Sequence, residues 1–445
     1  MTQTPAFDLA GAVSYDRPFV PTSGDPTTLK ALLETVALAL LPSMGRNFEY
    51  KTIEVDIRET RFAGGAKCDN VNDDAAAIQA AIDFFKPYSQ YQGGAPVIRV
   101  PRGRVKVGSE IDVTGCHGLT IRGEGRGSTQ IVPSHTGTVI KADTPAGQTL
   151  NNLVLKEFTI YGIGYTNVNA HGIDLKAPNN CLIDVRVWRC RDAIRIANAW
   201  QTTIFNPRID GLTGLECFRG LVMLDGVLAV AENAVLILGG VIQGTISYGF
   251  RGECVTGSKV FGLEVVGCGN TGVYIGDSPG LKDVKWFTWV GGLVDTCPDL
   301  ILIKRGGSAV GTLIHFSGMW LGYASGGNGV GVDIRGMDNM TFSADIIANT
   351  KYAANLENCD RITFVARTIK DYDRTLSGSA AIIVNGTTKS RIDVGTTKKA
   401  AGATSTVALV EQGAANYNLI TGIFDGAVNT AGAQSNKAGA MANVP

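Results

Sequence analysis

The sequence predicts an all-β protein, a right-handed single-stranded parallel β-helix with short capping helices at its N-terminal end. Three features of its 445 residues predict this architecture. A short apolar strand returns every two to three dozen residues, a second series of strands lies between its returns, and helical periodicity is confined to the front of the chain. A solenoid that adds one coil per interval accounts for all three, because each coil packs only against its neighbours.

The first strand series opens with a small or apolar residue followed by a larger apolar one. The second members of successive openings are 21, 28, 28, 23, 28 and 31 residues apart. We interpret each interval as one coil, with loops of variable length absorbing the differences. The openings are Gly172-Ile173, Ala193-Ile194, Leu221-Val222, Gly249-Phe250, Gly272-Val273, Leu300-Ile301 and Gly331-Val332.

The second series consists of segments rich in β-branched and aromatic residues, bounded by Gly, Asn or Asp. Asparagines near the bends, such as Asn179 and Asn270, are predicted to be structural because Asn tolerates a left-handed backbone. The segments span residues 182–188, 202–209, 234–242, 259–266, 284–290 and 340–347.

Helical patterns cover residues 27–41 and 73–85. In the second pattern, Asp73 or Asp74 is the predicted N-cap, and apolar residues recur on one face. We expect this helix to cover the end of the solenoid, where strand edges and core would otherwise be exposed. Its apolar face consists of Ala77, Ile78, Ala81, Ile82 and Phe85.

The composition limits the classes of partner. Forty basic and forty acidic residues give a net charge of zero, which argues against nucleic acid or an anionic membrane surface as the main partner. The N-terminal residues show no basic segment followed by an apolar one, so no secretory signal is predicted. The apolar stretch 29–41 is too short to span a bilayer. Nine cysteines without a C-x-x-C pair predict buried free thiols.

Residues 62–132 resemble the opening of pectate-lyase-superfamily (pectin-lyase-like) modules found in bacteriophage tailspikes and polysaccharide depolymerases. The family has a capping-helix motif, followed by a strand and a turn that make the first coils. The matches to the motif are Gly65, Ala66, Lys67, Asp69, Asp73, Asp74, Ala77, Ile78, Gln79, Ala81 and Ile82, and those to the first coils are Pro101, Gly103, Gly123 and Gly125. Departures at Cys68, Asn70 and Val105 do not affect the expected fold. None of the matched residues is catalytic in such families, so the resemblance implies a class of function and no active site.

This resemblance implies a homotrimeric spike of a phage virion that binds, and usually cleaves, a bacterial surface polysaccharide such as capsule, exopolysaccharide or O-antigen. Residues 1–55 would attach to the virion baseplate or an adaptor protein, 56–370 would form the β-helix, and 371–445 would form a β-rich cap with an extended tail. The protein would be made in the host cytoplasm and act on the virion tail. No cofactor and no metal site is predicted.

The repeat also predicts a candidate catalytic site. Aligned openings place Asp225, Glu253 and Asp277 at or near one point just past the strand on three consecutive coils. Coils lie about 4.8 Å apart, so carboxylates one coil apart would be about 5 Å from each other, as in retaining glycosidases. Carboxylates two coils apart would approach the upper inverting separation of about 9.5 Å. Stacked carboxylates raise each other's pKa, which would keep one protonated as a general acid.

Cationic and aromatic side chains accompany these acids in the sequence. Arg251, Tyr248 and Tyr274 could bind a sugar ring or neutralise an anionic one, and Lys304 and Arg305 come next along the ladder. In the alternative interpretation, the acids end strands and cap turns, paired with Arg251 and Arg305. Hydrolysis is favoured over lyase chemistry because the coils show no D-x-D cluster for calcium.

Further residues leave alternatives open. His171 and Asp174 echo part of a polygalacturonase motif whose paired aspartates are missing, and His315 is predicted to be structural. The tryptophans of the coils are either sugar platforms or core: Trp188, Trp200, Trp286, Trp289 and Trp320. Besides a depolymerising tailspike, the pattern admits a non-catalytic receptor-binding or structural spike. A third possibility is a bacterial cell-wall-modifying enzyme exported by a non-classical route.

Overall fold

The computed structural model describes residues 53–87, 96–143, 152–197, 199–211, 214–224, 232–253, 255–276, 283–305, 311–324, 329–430 and 436–437. The predicted helix at 27–41 and most of the predicted attachment segment lie outside these residues. The helix found within them is α1 (Ala75–Phe85). No described helix is long and apolar enough to cross a bilayer.

The strands are short in the first coils and longer toward the C-terminus. In chain order they are β1 (Glu54–Asp56), β2 (Asp69–Asp73), β3 (Val97–Arg99), β4 (Gly103–Val107), β5 (Ile111–Asp112), β6 (Thr120–Arg122), β7 (Thr129–Pro133), β8 (Ile140–Asp143), β9 (Val154–Lys156), β10 (Thr159–Tyr161), β11 (Ile173–Lys176), β12 (Cys181–Ile183), β13 (Arg186–Trp188), β14 (Asp192–Ala197), β15 (Thr203–Phe205), β16 (Arg208–Ile209), β17 (Arg219–Leu224), β18 (Glu232–Asn233), β19 (Leu236–Leu238), β20 (Val241–Gln243), β21 (Phe250–Gly252), β22 (Val255–Thr256), β23 (Lys259–Phe261), β24 (Glu264–Val266), β25 (Thr271–Gly276), β26 (Val284–Lys285), β27 (Thr288–Val290), β28 (Leu293–Asp295), β29 (Asp299–Lys304), β30 (Gly311–Thr312), β31 (His315–Leu321), β32 (Val330–Arg335), β33 (Thr341–Ala348), β34 (Tyr352–Glu357), β35 (Thr363–Tyr372), β36 (Ile382–Asn385), β37 (Arg391–Lys399), β38 (Val407–Gln412), β39 (Leu419–Ile423), β40 (Ala427–Asn429) and β41 (Asn436–Lys437).

The described strands pair in parallel with strands of the preceding and following coils and form four ladders. Ladder 1 runs from β1 through β3, β6, β9, β12, β15, β19, β23 and β27, and ladder 2 from β2 through β4, β7, β10, β13, β16, β20, β24 and β28. They merge in β31, β33, β35, β37 and β39. Ladder 3 runs from β5 through β8, β11, β14, β17, β21, β25, β29, β32, β34, β36 and β38 to β40, and ladder 4 comprises β18, β22, β26 and β30. The predicted parallel β-helix is confirmed, while its right hand stays a prediction.

The predicted repeat openings are the strands of ladder 3. Ile173, Ile194, Leu221, Phe250, Val273, Ile301 and Val332 are successive cross-strand partners. The predicted alignment therefore holds except at the third opening, where Leu221 occupies the place assigned to Val222. A one-residue shift matters because successive side chains on a strand point to opposite faces.

Most segments of the second series are two short strands rather than one. β12 and β13 are separated by a bend at Asp184, and β15 and β16 by a bend at Asn206, both with positive φ. Asp and Asn adopt this left-handed conformation more readily than most residues, so they mark the bends between ladders 1 and 2. The segment 340–347 corresponds to the single strand β33.

The core is a column of apolar side chains inside the coils. Trp289, Phe316, Phe342 and Phe364 are fully buried, one per coil, with successive ring centroids 6.0, 5.5 and 5.6 Å apart. Each ring fills the space above the previous one, which makes the coils cohere through continuous apolar contact.

Helix α1 packs with the predicted face inward, because Ala77, Ile78, Ala81, Ile82 and Phe85 are all buried. Asp74 occupies the N-cap position, but its carboxylate makes no side-chain hydrogen bond to the helix. It accepts hydrogen bonds from the backbone amides of Lys67 (2.6 Å) and Cys68 (2.9 Å) instead. The family-like motif therefore ties the loop before the helix to the helix start.

The C-terminal coils continue the same architecture. The predicted boundary between residues 370 and 371 falls within β35, and β36 to β40 extend the ladders already formed. All eight described cysteines are free. Six of them are buried: Cys116, Cys190, Cys217, Cys268, Cys297 and Cys359.

Candidate functional site

The outer side of ladder 3 carries the predicted sugar-binding residues. The rings of Tyr248 and Tyr274 stack with centroids 5.4 Å apart and an interplanar angle of 20°. The Arg251 guanidinium lies 5.0 Å from the Tyr248 centroid and 4.5 Å from the Tyr274 centroid. The structure therefore brings these three residues together. Tyr248 is half-buried and Tyr274 is 6% exposed, so the Tyr248 ring is the more accessible one.

Glu253 lies beside this aromatic group. It is 8% exposed, and its Oε1 accepts a hydrogen bond from Nε of Arg251 at 2.9 Å. The register pairs Gly252 with Ile275, so Glu253 lies level with Gly276. Asp225 and Asp277 are outside the described residues, so the carboxylate ladder stays a prediction.

The predicted cations lie two coils beyond Glu253 on ladder 3. Lys304 is the cross-strand partner of Gly276 and of Arg335. It therefore lies at the level of Glu253, two coils further along, with Gly276 on the coil between them. The backbone amide of Arg305 donates to the carbonyl of Arg335 at 3.1 Å. Lys304 is thus better placed by register to approach Glu253 than Arg305, which lies one residue beyond that level.

An ion network on earlier coils was missed by the sequence analysis. Asp192 is fully buried, and the Arg219 guanidinium donates to both of its carboxylate oxygens, at 2.6 and 2.8 Å. Nδ1 of His171 lies 3.2 Å from Oδ2 of Asp192. Arg195 approaches the other side of the imidazole, with Nη1 3.2 Å from Nε2. Asp174 lies 3.7 Å from Arg195, which extends the network outward.

The arginine determines the tautomer of His171. A guanidinium only donates hydrogen bonds, so Nε2 accepts from Arg195 and the proton lies on Nδ1, facing Asp192. Burial raises the pKa of Asp192, but hydrogen bonds from His171 and Arg219 outweigh burial and hold this pKa below its usual range. Asp192 is therefore a fixed anion at neutral pH.

A positional signal marks this network in the register that places Leu221, rather than Val222, at the third opening. His171, Asp192 and Arg219 each precede the aligned apolar residue of ladder 3 by two positions. Tyr248 does so on the following coil. The position two residues before the aligned apolar residue therefore carries a buried histidine, a carboxylate, a guanidinium and a candidate sugar-stacking tyrosine on four successive coils.

A second polar group lies on ladder 2. Asp210 accepts hydrogen bonds from Nε1 of Trp188 (3.0 Å), Nε of Arg208 (2.9 Å) and Arg186. Burial raises the pKa of Asp210, but these hydrogen bonds outweigh burial and lower it. The Arg186 guanidinium is 4.0 Å from the centroid of the Trp188 ring, whose edge meets Tyr161 at 5.5 Å.

The turns between ladders 2 and 3 enclose an open cleft on these same coils. It has a volume of about 430 Å³, within the range of ligand pockets. We call it the turn cleft. Its lining residues are Ile163, Gly164, Tyr165, Thr166, Arg189, Gly214 and Glu216.

The remaining candidates divide by exposure. Trp289 is buried and Trp188 is half-buried, whereas three tryptophans are exposed by 38 to 54%: Trp200, Trp286 and Trp320. His315, expected to be structural, lies exposed at the start of β31. Among the residues that the structure describes, no group of three or more His, Cys, Asp or Glu could hold a metal ion.

Comparison with known proteins supports the fold. No family model matches the sequence, and no curated protein matches it. The A-module of a mannuronan C-5 epimerase from Azotobacter vinelandii is 16% identical, with a TM-score of 0.54, covering 86% of this chain and 99% of that one. A DFA-IIIase from Arthrobacter chlorophenolicus A6 is 14% identical, with a TM-score of 0.56, covering 84% of this chain and 94% of that one. The Dettilon tailspike protein is 12% identical, with a TM-score of 0.54, covering 89% of this chain and 74% of that one.

These solved structures are pectin-lyase-like parallel β-helix proteins. Their different activities show that this fold supports several chemistries. At such low identities the likeness extends to the fold alone, so the function has to be argued from the side chains of this chain.

Proposed function

We propose that the chain is a tailspike-type protein of a phage virion that binds a bacterial surface polysaccharide along ladder 3 and hydrolyses it. The observation that carries this proposal is the grouping of Tyr248, Tyr274 and Arg251 around the buried carboxylate of Glu253. The likeness to the Dettilon tailspike protein supports it at the level of the fold.

The geometry of this group suits recognition of a sugar. Aromatic faces pack against the apolar faces of sugar rings, while guanidinium and carboxylate groups bind hydroxyls. Arg251 lies over both tyrosine rings and also donates to Glu253, so its position is restricted from two sides. Such preorganisation lowers the entropic cost of binding.

We assign hydrolysis to Glu253 with Asp225 and Asp277. The ion pair with Arg251 suits Glu253 to the role of base or nucleophile. The role of general acid then falls to one of the two aspartates. Both the retaining and the inverting geometry remain open, since they differ in the separation of the two carboxylates.

Reducing-end release from purified surface polysaccharides of candidate hosts tests this proposal. Glu253→Gln should retain binding and lose cleavage, and Tyr248→Ala should weaken binding. If Asp225→Asn, Glu253→Gln and Asp277→Asn each leave the cleavage rate intact, the assignment of the carboxylates is wrong.

A second candidate is a non-catalytic receptor-binding or structural spike of the virion. One observation favours it: Glu253 is nine-tenths buried and already paired with Arg251, as expected for an acid that stabilises a strand end. Polysaccharide binding with no release of reducing ends by the wild-type chain would select this function.

We further propose that the protein is a homotrimer on the virion tail and that residues 1–55 attach it to the baseplate or an adaptor. The resemblance of residues 62–132 and the likeness to a tailspike support this arrangement. Sedimentation of the purified chain as a monomer would exclude the trimer.

A further inference from the structure

Three arginines on or beside the turn cleft lack a carboxylate partner among the described residues, and one of them, Arg189, lines it. Arg104 and Arg189 both lie near the Tyr161 ring, 5.8 and 5.6 Å from its centroid. Arg191 lies 3.7 Å from the centroid of Phe218. By contrast, the neighbouring Arg186 and Arg208 both bind Asp210. The first three guanidiniums therefore carry charge that no described acid within 4.0 Å neutralises.

One of these arginines lines the cleft, and the other two lie against aromatic rings beside it. Arg189 lines it directly, and its Nη2 donates to the carbonyl of Ile163 at 3.3 Å, which holds the guanidinium at the rim. On another wall, Tyr165 stacks on Phe218 with centroids 6.4 Å apart and an angle of 28°. Phe218 in turn carries Arg191. Arg191 is thus linked to the cleft wall through Phe218 and Tyr165, and Arg104 is linked to it through the Tyr161 ring that it shares with Arg189.

Stacking orients a guanidinium without using its hydrogen-bond donors. A guanidinium over an aromatic face is attracted by the quadrupole of the ring, while its N–H groups point outward in the plane of the guanidinium. This fork matches the two oxygens of a carboxylate. Glu216, which also lines the cleft, adds one acceptor for hydroxyl groups.

We propose that the turn cleft is a subsite for a carboxylate-bearing sugar residue, bound by Arg189 and contacted by Tyr165, with Arg104 and Arg191 adding positive charge beside the cleft. The subsite is separate from the group of Tyr248, Tyr274 and Arg251. The inference rests on the proposed polysaccharide binding and deepens it: the polymer is acidic.

Binding of matched sugars to the full chain tests the subsite. The probes are trisaccharides of glucuronate, galacturonate and mannuronate, each paired with its carboxyl-reduced form, in which every carboxylate is replaced by a primary alcohol. At least one uronate probe should bind tenfold or more tightly than its reduced form, because charge-assisted hydrogen bonds are lost on reduction. Its affinity should fall with added salt.

Variants locate the binding. Arg189→Gln should weaken the uronate probe by about tenfold or more and leave the reduced probe unchanged. Arg104→Gln and Arg191→Gln should act in the same direction. The control is Arg367→Gln, because this exposed arginine pairs with Asp345 elsewhere on the helix and should not alter binding. Near-ultraviolet circular dichroism checks that each variant is folded.

The outcomes separate this inference from the proposed function. Equal binding of uronate and reduced probes, binding of none of the three uronates, or wild-type affinity in all three arginine variants overturns the acidic subsite. If the chain nevertheless binds a neutral host polysaccharide and Tyr248→Ala weakens that binding, the proposed function stands. A chain that binds no polysaccharide at all contradicts both.

Discussion

Replacing Asp192 by Asn tests the buried ion network most directly. The substitution conserves shape but removes the charge that Arg219 and His171 face. Removing one partner of a buried ion pair costs about 3–5 kcal/mol, since the other charge remains buried without compensation. The Arg219 side chain is 20% exposed, so water can partly solvate it, and we expect a cost near the lower limit.

This cost converts into a measurable melting shift. The unit from Thr52 to Pro445 would unfold with an entropy of about 0.8 kcal/mol/K if it is cooperative. A loss of about 3 kcal/mol therefore lowers Tm by about 4 °C at pH 7. Asp393→Asn is the matched control, because its ion pair with Arg391 is exposed and should contribute at most about 1 kcal/mol.

The effect should also depend on pH. The pKa of Asp192 is lower in the folded chain than the value of about 3.9 for an unfolded aspartate. Its stabilisation is therefore complete above about pH 4 and is lost as pH falls toward the folded pKa. Scanning calorimetry should show a constant Tm difference between wild type and Asp192→Asn from pH 8 to 5, and a smaller one at pH 3. A difference below 1 °C at pH 7, or an equal one at pH 3, would refute the reasoning.

Three further predictions concern the fold. Trp289→Ala should lower the free energy of unfolding, measured by chemical denaturation, by about 3–5 kcal/mol because the ring is fully buried. Trp286 is exposed and has φ +54°, so Trp286→Gly should leave the free energy of unfolding unchanged or raise it by about 1 kcal/mol. Equal losses in the two variants would contradict this reasoning. Gly276 has φ +95°, and a Cβ added there would lie 1.8 Å from the Lys304 carbonyl oxygen. Gly276→Ala should therefore lower Tm. An unchanged Tm would exclude the close approach of these two coils. Burial raises the pKa of Cys116 and Cys359 to about 11. Alkylation of these two thiols at pH 8, monitored by mass spectrometry, should therefore be about a hundredfold slower in the native than in the urea-unfolded chain. Similar rates in the two states would argue against burial.

The site was only partly predictable from sequence. Tyr248, Tyr274 and Arg251 could be grouped because they lie close to consecutive repeat openings, and the structure brings them together. His171 and Asp192 share an offset from the predicted openings, whereas Arg219 shares it only in the observed register with Leu221, and the direction of a side chain cannot be inferred from spacing. An acid before a strand can face solvent, cap a turn or, as here, point into a buried network.

The sequence by itself determined the repeat, the apolar strands and the capping helix, because strand alternation and helical periodicity are local properties of the chain. Only the tertiary structure decided that Leu221 rather than Val222 is in register with Phe250. It also decided that His171, Asp192 and Arg219 meet, and that three turns enclose a cleft. The physical reason is that loops of unequal length separate the coils, so the register between them is determined by packing and hydrogen bonding across coils rather than by distance along the chain.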